Sequence, residues 1–480
     1  MSVVAESAPA RARAATQVWR PRASTMAPLL AAEVFSGAVG FGVMIHLARR
    51  LGAEGFADLE YASAVAAWCL VLVRGGFDTI AQREAARRPG LIRPWTDLLL
   101  GLRLASAAFG LLSVVALATL AGPVRGPVVV AAGLVLIPSA LAADLGLRAT
   151  CRFGPLALAQ GVRALGLALG AAWLVAGPGR ATVAAGCAAG AEVASSLVLL
   201  GFHASEFGPP RPRFRRRAWS ALAARAAVAG LTRFGRVSLY AADMIALGWV
   251  AGSGLGPYAA ARRLAFALLA LGLVVPSALG PRLAKAWAAG PVEARSLLAR
   301  ASRGLAAATW PATVGLMATA DRWMPRLFGD DFRLGGPCLA LIAARLPLVL
   351  SSNLQQAALV AARREGWALR LIAGMAALAL ILLPALALAR GPLGVALAML
   401  AVEGAGVVAG RVALGRLGLA SGRDPDLIAV LAGCLGVALT CRAGRGWPLE
   451  VAVGASLAVY VATLRGLGWL VRTSPAGVAA

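Results

Sequence analysis

The sequence has little of what common enzyme chemistries require. It contains a single lysine, Lys285, within the segment LAKAW, so it lacks the GxxxxGK[ST] loop that binds nucleotide phosphates. The HExxH, CxxC and GxSxG motifs are also missing. Two histidines, His46 and His203, are too few for a histidine-based zinc site. These absences argue against enzymes generally and favour a transporter or channel, and we expect no metal and no other cofactor.

Charged residues are scarce as well. They make up 14% of the chain, whereas hydrophobic residues make up 60%. Soluble domains carry roughly 25% charged and about 45–50% apolar residues. The six cysteines lie mostly inside apolar stretches, which is typical of small buried side chains and not of disulfides or metal ligands. This composition predicts an integral membrane protein.

Between Met26 and Arg472, apolar stretches about 20 residues long alternate with short loops. A segment that crosses lipid has to satisfy its own backbone hydrogen bonds, so such stretches predict helices. The fold class predicted is an all-α polytopic membrane protein with about 14 transmembrane helices. The predicted helices are 27–47, 59–77, 96–121, 127–147, 156–177, 181–203, 227–251, 257–280, 299–320, 335–360, 367–389, 392–413, 427–441 and 450–471.

The net charge of +26 predicts the orientation of these helices. In the predicted topology, 29 Lys and Arg residues lie on one side and 12 on the other. Because basic residues stay on the cytoplasmic side, we expect both termini in the cytoplasm and the protein in the cell (inner) membrane. The same charge favours anionic lipid headgroups as partners, and no nucleic acid is expected. The basic residues before the first helix are read as a retained tail, not a cleaved signal.

A polar break divides the chain. The segment from His203 to Arg225 contains PPRPR and RRR, which oppose both insertion and helix formation. It predicts a cytoplasmic tail (1–26), an N-lobe (27–203), a basic linker (204–226), a C-lobe (227–413) and an extra helix pair (427–471). Gly52–Ala62 and Gly254–Ala261 open corresponding helices about 200 residues apart, as in transporters built from two parallel repeats.

Five arginines lie deep inside predicted helices: Arg103, Arg163, Arg233, Arg236 and Arg345. A charge at such depth costs at least about 2.5–3.5 kcal/mol and usually faces a cavity or a partner. We predict that these arginines line a cationic cavity for an anionic headgroup, because a guanidinium can bind two phosphate oxygens at once. The alternative is that each side chain extends to the membrane interface.

Five acids accompany them: Glu33, Asp78, Glu192, Asp243 and Glu403. Two roles stay open for these acids, balancing the arginines or coupling transport to H+ or Na+. The spacing predicts that Asp78 shares a helix face with Arg74, and that Asp243 shares one with Arg236 and Tyr240.

Four segments carry a family resemblance: LARRLGAEGFADLEY (47–61), GGFDTIAQR (75–83), DMIALGWVAGSGLGPYAAARR (243–263) and LFGDDF (327–332). In this order they resemble polysaccharide and oligosaccharide flippases of the multidrug/oligosaccharidyl-lipid/polysaccharide (MOP) exporter superfamily. The resemblance implies a MATE-like fold with two six-helix lobes around a central cavity, plus a C-terminal helix pair. It supplies no residue motif for the substrate site.

The implied function is flipping of a polyprenyl-pyrophosphate-linked oligosaccharide across the cytoplasmic membrane by alternating access, for polysaccharide such as lipopolysaccharide O-antigen. Membrane lipids, H+ or Na+, and a polysaccharide polymerase or export machinery are the further partners that the resemblance allows. One alternative is a cation-coupled multidrug exporter of the same superfamily, which would depend on a midplane acid. A membrane glycan polymerase or ligase is the other, but the longest predicted outer loop, Asp321–Leu334, is short for one.

Overall fold

A computed structural model of the chain describes residues 23–250, 254–419 and 426–466. Within these ranges the protein is almost entirely helical and contains no β-strand. Most of the predicted N-terminal tail, and the end of the last predicted helix beyond residue 466, lie outside the described residues.

The helices of the first half are α1 (23–51) and α2 (53–74), which together make Ala23–Arg74; α3 (Phe77–Arg87); α4 (92–121) and α5 (123–133), which together make Ile92–Gly133; α6 (Leu136–Leu141); α7 (Leu145–Ala149); α8 (Phe153–Leu174); and α9 (Ala181–Phe207). The helices of the second half are α10 (Arg216–Val250), α11 (Leu255–Ala289), α12 (Pro291–Phe328), α13 (Gly336–Ala361), and α14 (365–390) with α15 (392–415), which together make Glu365–Gly415. The extra pair is α16 (Asp426–Ala443) and α17 (Leu449–Gly466).

The 14 long helices predicted from hydropathy are confirmed, with α5 and α6 together forming the fourth. Three details differ. The short helices α3 and α7 were not predicted, and the fourth predicted helix, 127–147, ends at Leu141. The irregular part of the linker covers only 208–215, because α10 begins eleven residues before its predicted start. Hydropathy predicts only the part of a helix that lies in lipid, so it does not predict the polar first turns of α10. In the structure these turns pack on the protein, because Leu222 is buried among residues of α3 and α4.

Three tight helix-to-helix turns depend on glycine. Gly52, Gly122 and Gly391 have φ values of 70°, 85° and 55°, and each joins two helices without an intervening loop. A side chain in this left-handed region costs about 1–2 kcal/mol, which glycine avoids. Pro123 and Pro392 follow two of these glycines, at a helix start where the missing N–H has no intrahelical acceptor. We call the end of the bundle that holds these turns the hairpin end.

The opposite end, which we call the linker end, holds α3, residues 208–215 and the turn at Gly290. Contacts across the fold agree with this up-and-down arrangement. At the hairpin end Arg49 Nε donates to Leu327 O at 2.7 Å, and at the linker end Arg152 Nη1 lies 2.6 Å from Glu206 Oε1.

Six helical stretches are long and apolar enough to cross a membrane by length and composition alone: Pro28–Arg74, Pro89–Leu141, Phe153–Leu174, Ala181–Phe207, Asp330–Ala361 and Glu365–Gly415. Three of these contain one of the glycine turns and therefore hold two long helices each. The buried core joins both halves and is rich in alanine, which lets helix backbones approach closely in lipid. The extra pair packs on α12, where Tyr460 OH donates to Ala307 O at 2.6 Å.

We predict that Gly391→Val lowers the stability of the protein by about 1–3 kcal/mol, because a β-branched side chain is strained at positive φ. Gly404→Val is the matched control, since Gly404 lies inside α15 and a Cβ there would meet no atom within 4 Å. The apparent Tm in detergent measures both. A fall in Tm for Gly404→Val as large as that for Gly391→Val would contradict the prediction.

Candidate functional site

A cavity of about 290 Å³ lies between α2 of the first half and α10 and α11 of the second. Its polar lining comes from Glu60, Ser63, Tyr240, Arg262 and Arg263, and the remaining lining side chains are Ala, Val, Leu and Phe. Two arginines and one acid therefore face an otherwise apolar space at the junction of the two halves.

An ion pair crosses this junction. Arg263 Nε on α11 donates to Glu60 Oε2 on α2 at 2.7 Å. The Glu60 side chain is 5% exposed, whereas the Arg263 side chain is 44% exposed. The acid is thus enclosed by protein, whereas the arginine side chain is partly exposed and lines the cavity.

Arg262 connects the cavity to a buried network. Its Nε lies 3.2 Å from Asp243 Oδ2, its Nη2 donates to the Tyr240 carbonyl, and its guanidinium carbon sits 4.7 Å from the centre of the Phe266 ring. A cation over an aromatic face is stabilised by the ring quadrupole. The side chain is 12% exposed, so it is accessible to the cavity on one side only.

Asp243 is the centre of this network. Its Oδ2 accepts from Tyr258 OH at 3.1 Å and lies 3.7 Å from Arg345 Nη1, while its Oδ1 accepts from Met244 N at 2.8 Å. Asp243 and Tyr258 are both fully buried. The four helices that supply the network, α10, α11, α13 and α15, all belong to the second half.

Glu403 is the second acid of the network and is also fully buried. Its Oε1 lies 3.4 Å from Arg345 Nη2 and 3.6 Å from Arg236 Nη1. Arg236 Nη2 in turn donates to Ser352 Oγ at 2.9 Å. Arg345 therefore bridges the two acids. The contacts run from Arg262 through Asp243, Arg345 and Glu403 to Arg236, so Arg262 and Arg236 are the two ends of the network.

The network has an excess of positive charge. Arg236, Arg262 and Arg345 face two acids, Asp243 and Glu403, so the described members sum to +1. Within the part of the chain that the structure describes, several buried atoms have no hydrogen-bond partner, among them the Nε atoms of Arg236 and Arg345 and Oε2 of Glu403. Unpaired buried polar atoms are unfavourable, so their presence in one network requires an explanation.

Arg103 occupies a different cluster, near the linker end of the first half. Its Nη2 lies 2.6 Å from Asp78 Oδ1 and 3.4 Å from Asp144 Oδ1, and its Nη1 donates to Ala142 O at 2.6 Å. Burial raises the pKa of Asp144, but the guanidinium groups of Arg103, Arg148 and Arg74 lower it further, so the pKa lies well below its ordinary value. The arginines and acids of this cluster are therefore paired with one another.

The helix-face prediction for Asp78 is wrong. The chain leaves the helix after Arg74, and Gly76 has a φ of 83° that starts α3 in a new direction. Asp78 therefore pairs with Arg103 from α4. The prediction for Asp243 is confirmed, since Arg236, Tyr240 and Asp243 all lie on the side of α10 that faces the network and the cavity.

The other predicted residues lie elsewhere. Arg163 Nε is 3.9 Å from Glu192 Oε2, and Ser139 Oγ donates to Glu192 Oε1 at 3.3 Å. Glu33 is exposed and accepts from Gln160 Nε2 at 2.8 Å. Arg233 is exposed. Of the ten predicted residues, four are brought together in the Asp243 network: Arg236, Arg345, Asp243 and Glu403.

Sequence reasoning missed Glu60, Arg262 and Arg263. The two arginines lie near the start of the predicted helix 257–280, so the depth argument did not select them; the structure places them two turns inside α11. A usable signal was present, because GAEGFADLEYA and GLGPYAAARR each place a charged residue at the same distance from the helix start.

Contacts between the two halves flank the cavity towards both ends of the bundle. At the hairpin end, Gly256 packs so closely on Ala53 that a Cβ would overlap the Ala53 carbonyl, and Arg125 Nη1 donates to Gly248 O at 2.8 Å. At the linker end, Trp68 Nε1 donates to Ser238 Oγ at 2.8 Å. Beyond it, a Cβ on Gly230 would lie 2.7 Å from Gly75 O. The two halves are thus in contact above and below the cavity.

Comparison with known proteins agrees with this architecture. A family described as "Polysaccharide biosynthesis protein" matches residues 26–287, which is more than half of the chain. None of the curated proteins compared with the chain matches it in sequence. Three solved structures share the fold: the lipid II flippase MurJ in an inward closed conformation, an inward-facing multidrug resistance MATE family transporter of the MOP superfamily, and the MATE multidrug transporter DinF-BH.

The match to MurJ has a TM-score of 0.71 at 13% identity and covers 91% of this chain and 98% of that chain. The inward-facing MATE transporter gives 0.60 at 14% identity, over 81% of this chain and 96% of that chain. The DinF-BH structure gives 0.56 at 16% identity, over 82% of this chain and 94% of that chain. The predicted all-α polytopic membrane fold of the MATE type is confirmed by these likenesses.

The charge excess of the network generates a prediction. Glu403→Gln leaves three arginines against one buried acid, whereas Arg345→Met leaves two against two. Removing one partner of a buried pair costs about 3–5 kcal/mol when it leaves an uncompensated charge. We therefore expect Glu403→Gln to lower the apparent Tm more than Arg345→Met does. Thermal unfolding in detergent checks the order, and the reverse order would show that the charge excess does not govern stability.

Proposed function

We propose a function from one premise: this chain belongs to the polysaccharide biosynthesis protein family. The protein is a transporter that flips a polyprenyl-pyrophosphate-linked oligosaccharide across the cytoplasmic membrane by alternating access. Residues 27–203 and 227–413 act as two lobes that rock about the cavity between them, with both termini in the cytoplasm. The prenyl tail stays in lipid while the charged headgroup crosses through the cavity.

The observation that carries this proposal is the positive charge excess beside the cavity. A pyrophosphate in the cavity attracts Arg262 and Arg263, the two arginines that line it. If Arg262 turns towards the ligand, the rest of the network is balanced, because Arg236 and Arg345 still face Asp243 and Glu403. Asp243 also keeps its hydrogen bonds from Tyr258 and Met244. Arg262 is therefore the guanidinium that a ligand can recruit without leaving a buried acid alone.

The size of the cavity favours alternating access and argues against a channel that is open permanently. Small-molecule pockets typically measure about 300–1,000 Å³. The cavity of about 290 Å³ is at the lower limit of that range, so an oligosaccharide enters only when one end opens. The contacts between Gly75 and Gly230 at the linker end, and between Ala53 and Gly256 at the hairpin end, are the ones that have to separate in turn.

The remaining predicted arginines and acids serve this proposal in different ways. Arg236 and Arg345 hold Asp243 and Glu403, which leaves Arg262 as the member of the network that can meet the headgroup. Asp243, Glu403, Asp78 and Glu192 balance buried or half-buried arginines. Arg103 and Arg163 stabilise the first lobe through Asp78 and Glu192.

We predict that Arg262→Gln slows flipping by about 10- to 100-fold, since a hydrogen bond to a charged group contributes about 1.5–3 kcal/mol. The apparent Tm stays near that of the unmodified protein, because the remaining network is neutral. The measurement is the rate at which a labelled lipid-linked oligosaccharide in proteoliposomes becomes accessible to an external glycosidase.

Arg180→Gln is the matched control, because Arg180 is exposed at the hairpin end and contacts only the Leu174 carbonyl among the described residues. Equal flipping rates for Arg262→Gln and Arg180→Gln would reject the cationic site. Efflux of lipophilic cations that depends on Glu403 and not on Arg262 would instead indicate the multidrug exporter.

A further inference from the structure

The Glu60–Arg263 pair lies on the junction between the two halves, where α2 and α11 run side by side in the same direction. Two contacts across the junction, Ala53 with Gly256 and Glu60 with Arg263, each join residues whose numbers differ by 203. The two helices therefore stay in register over two turns, and movement of either half away from the other has to separate the pair.

The pair is also the contact between the halves that a ligand can reach. The packing of Ala53 on Gly256 and the bond from Arg125 to Gly248 lie outside the cavity lining. Glu60 and Arg263 both line the cavity, and the arginine is the exposed partner. An anionic ligand competes with Glu60 for a guanidinium that is already open to it.

Separation of the pair has a further consequence at Glu60. Within the described residues, Arg263 is the only donor to its carboxylate. A carboxylate left buried and unpaired is strongly disfavoured. Glu60 and Arg263 lie about two turns from the starts of α2 and α11 at the hairpin end, and farther from the linker end. Opening of the hairpin end therefore brings water to the released acid and lowers its free energy. Loss of the pair therefore favours the open state of that end in particular.

We infer that Glu60 and Arg263 form a ligand-operated latch, which holds the hairpin end closed while the cavity is empty and opens when a diphosphate in the cavity takes Arg263 from Glu60. Arg263 thereby differs from Arg262, whose release leaves no acid unpaired. The ligand half of this inference rests on the proposed function, whereas the closing role of the pair rests on the geometry alone.

The first test needs no ligand. Ser63 lines the cavity and Ser238 contacts Trp68 towards the linker end, so Ser63→Cys and Ser238→Cys report opening at different places with minimal change. Labelling by a water-soluble maleimide, read by peptide mass spectrometry, separates these sites from the six native cysteines. We expect Glu60→Gln to raise the labelling rate at position 63 by about tenfold or more and to leave position 238 unchanged.

The exchanged variant Glu60→Arg/Arg263→Glu is the control for general damage. Because the two residues face each other across the junction, the exchange keeps an ion pair between the same two positions, and labelling at position 63 returns towards the level of the unmodified background. Arg263→Lys, which keeps the charge, shows a smaller rise than Glu60→Gln. A rise in the exchanged variant equal to that in Glu60→Gln would show that these positions matter only for packing, and would reject the latch.

The second test uses farnesyl diphosphate as the probe and farnesol as its uncharged control. In the Ser63→Cys background the diphosphate is expected to raise labelling at position 63 and farnesol is not, while in Glu60→Gln the diphosphate adds nothing. Unchanged labelling with the diphosphate would overturn ligand operation. Unchanged labelling in ligand-free Glu60→Gln would overturn the latch itself. Neither result bears on whether the protein flips a lipid-linked oligosaccharide, which the glycosidase assay decides separately.

Discussion

The structure depends on one constraint, the cost of placing arginine in a membrane interior. A guanidinium far from water is tolerated when acids or aromatic rings replace its hydration. Arg103 meets this condition through Asp78 and Asp144, and Arg345 meets it through Asp243 and Glu403. The acids in turn join helices that are distant in sequence. Charge pairing therefore determines which helices of each half are held together, in addition to the close packing that small side chains permit.

The Arg103 cluster and the Asp243 network differ in their access to the cavity between the halves. Arg103 is enclosed within the first half and has no access to the cavity between the halves. Arg262 lies at the boundary between the Asp243 network and that cavity, so one guanidinium belongs to both. The positive charge excess of the Asp243 network, which lies within the second half, is thereby in contact with the cavity through Arg262. This position lets a ligand alter buried electrostatics without entering the network itself.

The contacts between the halves complete the arrangement. Glycine at 230, 248 and 256 removes side chains where α10 and α11 cross α2, so the two halves touch backbone to backbone or backbone to ring. Hydrogen bonds from Trp68 to Ser238 and from Arg125 to Gly248 cross the same junction. The Glu60–Arg263 pair adds an ion pair that lines the cavity. Movement of the halves away from each other at the cavity therefore has to break this ion pair.

Most of the fold followed from the sequence, because lipid imposes a simple rule on it. Apolar length specifies a spanning helix wherever backbone groups cannot bond to water, and this rule located the 14 long helices. It could not locate α3 or α7, which are stabilised by contacts at the linker end and not by lipid. It also missed the break at Gly76, where backbone conformation and not hydropathy ends the helix.

The candidate site followed only in part. Depth along a helix can be counted in residues, and it identified Arg236, Arg345, Asp243 and Glu403, which meet in one network. The direction in which a side chain points, and the helix that it faces, are decided by packing among helices far apart in sequence. Arg103 and Arg163 have similar depth but face partners within the first half, whereas Arg262 and Arg263 face the cavity. Sequence alone determined how deep along a helix each charge lies, and only the tertiary structure decided which charges are buried and which share a space, because side-chain direction depends on helix packing.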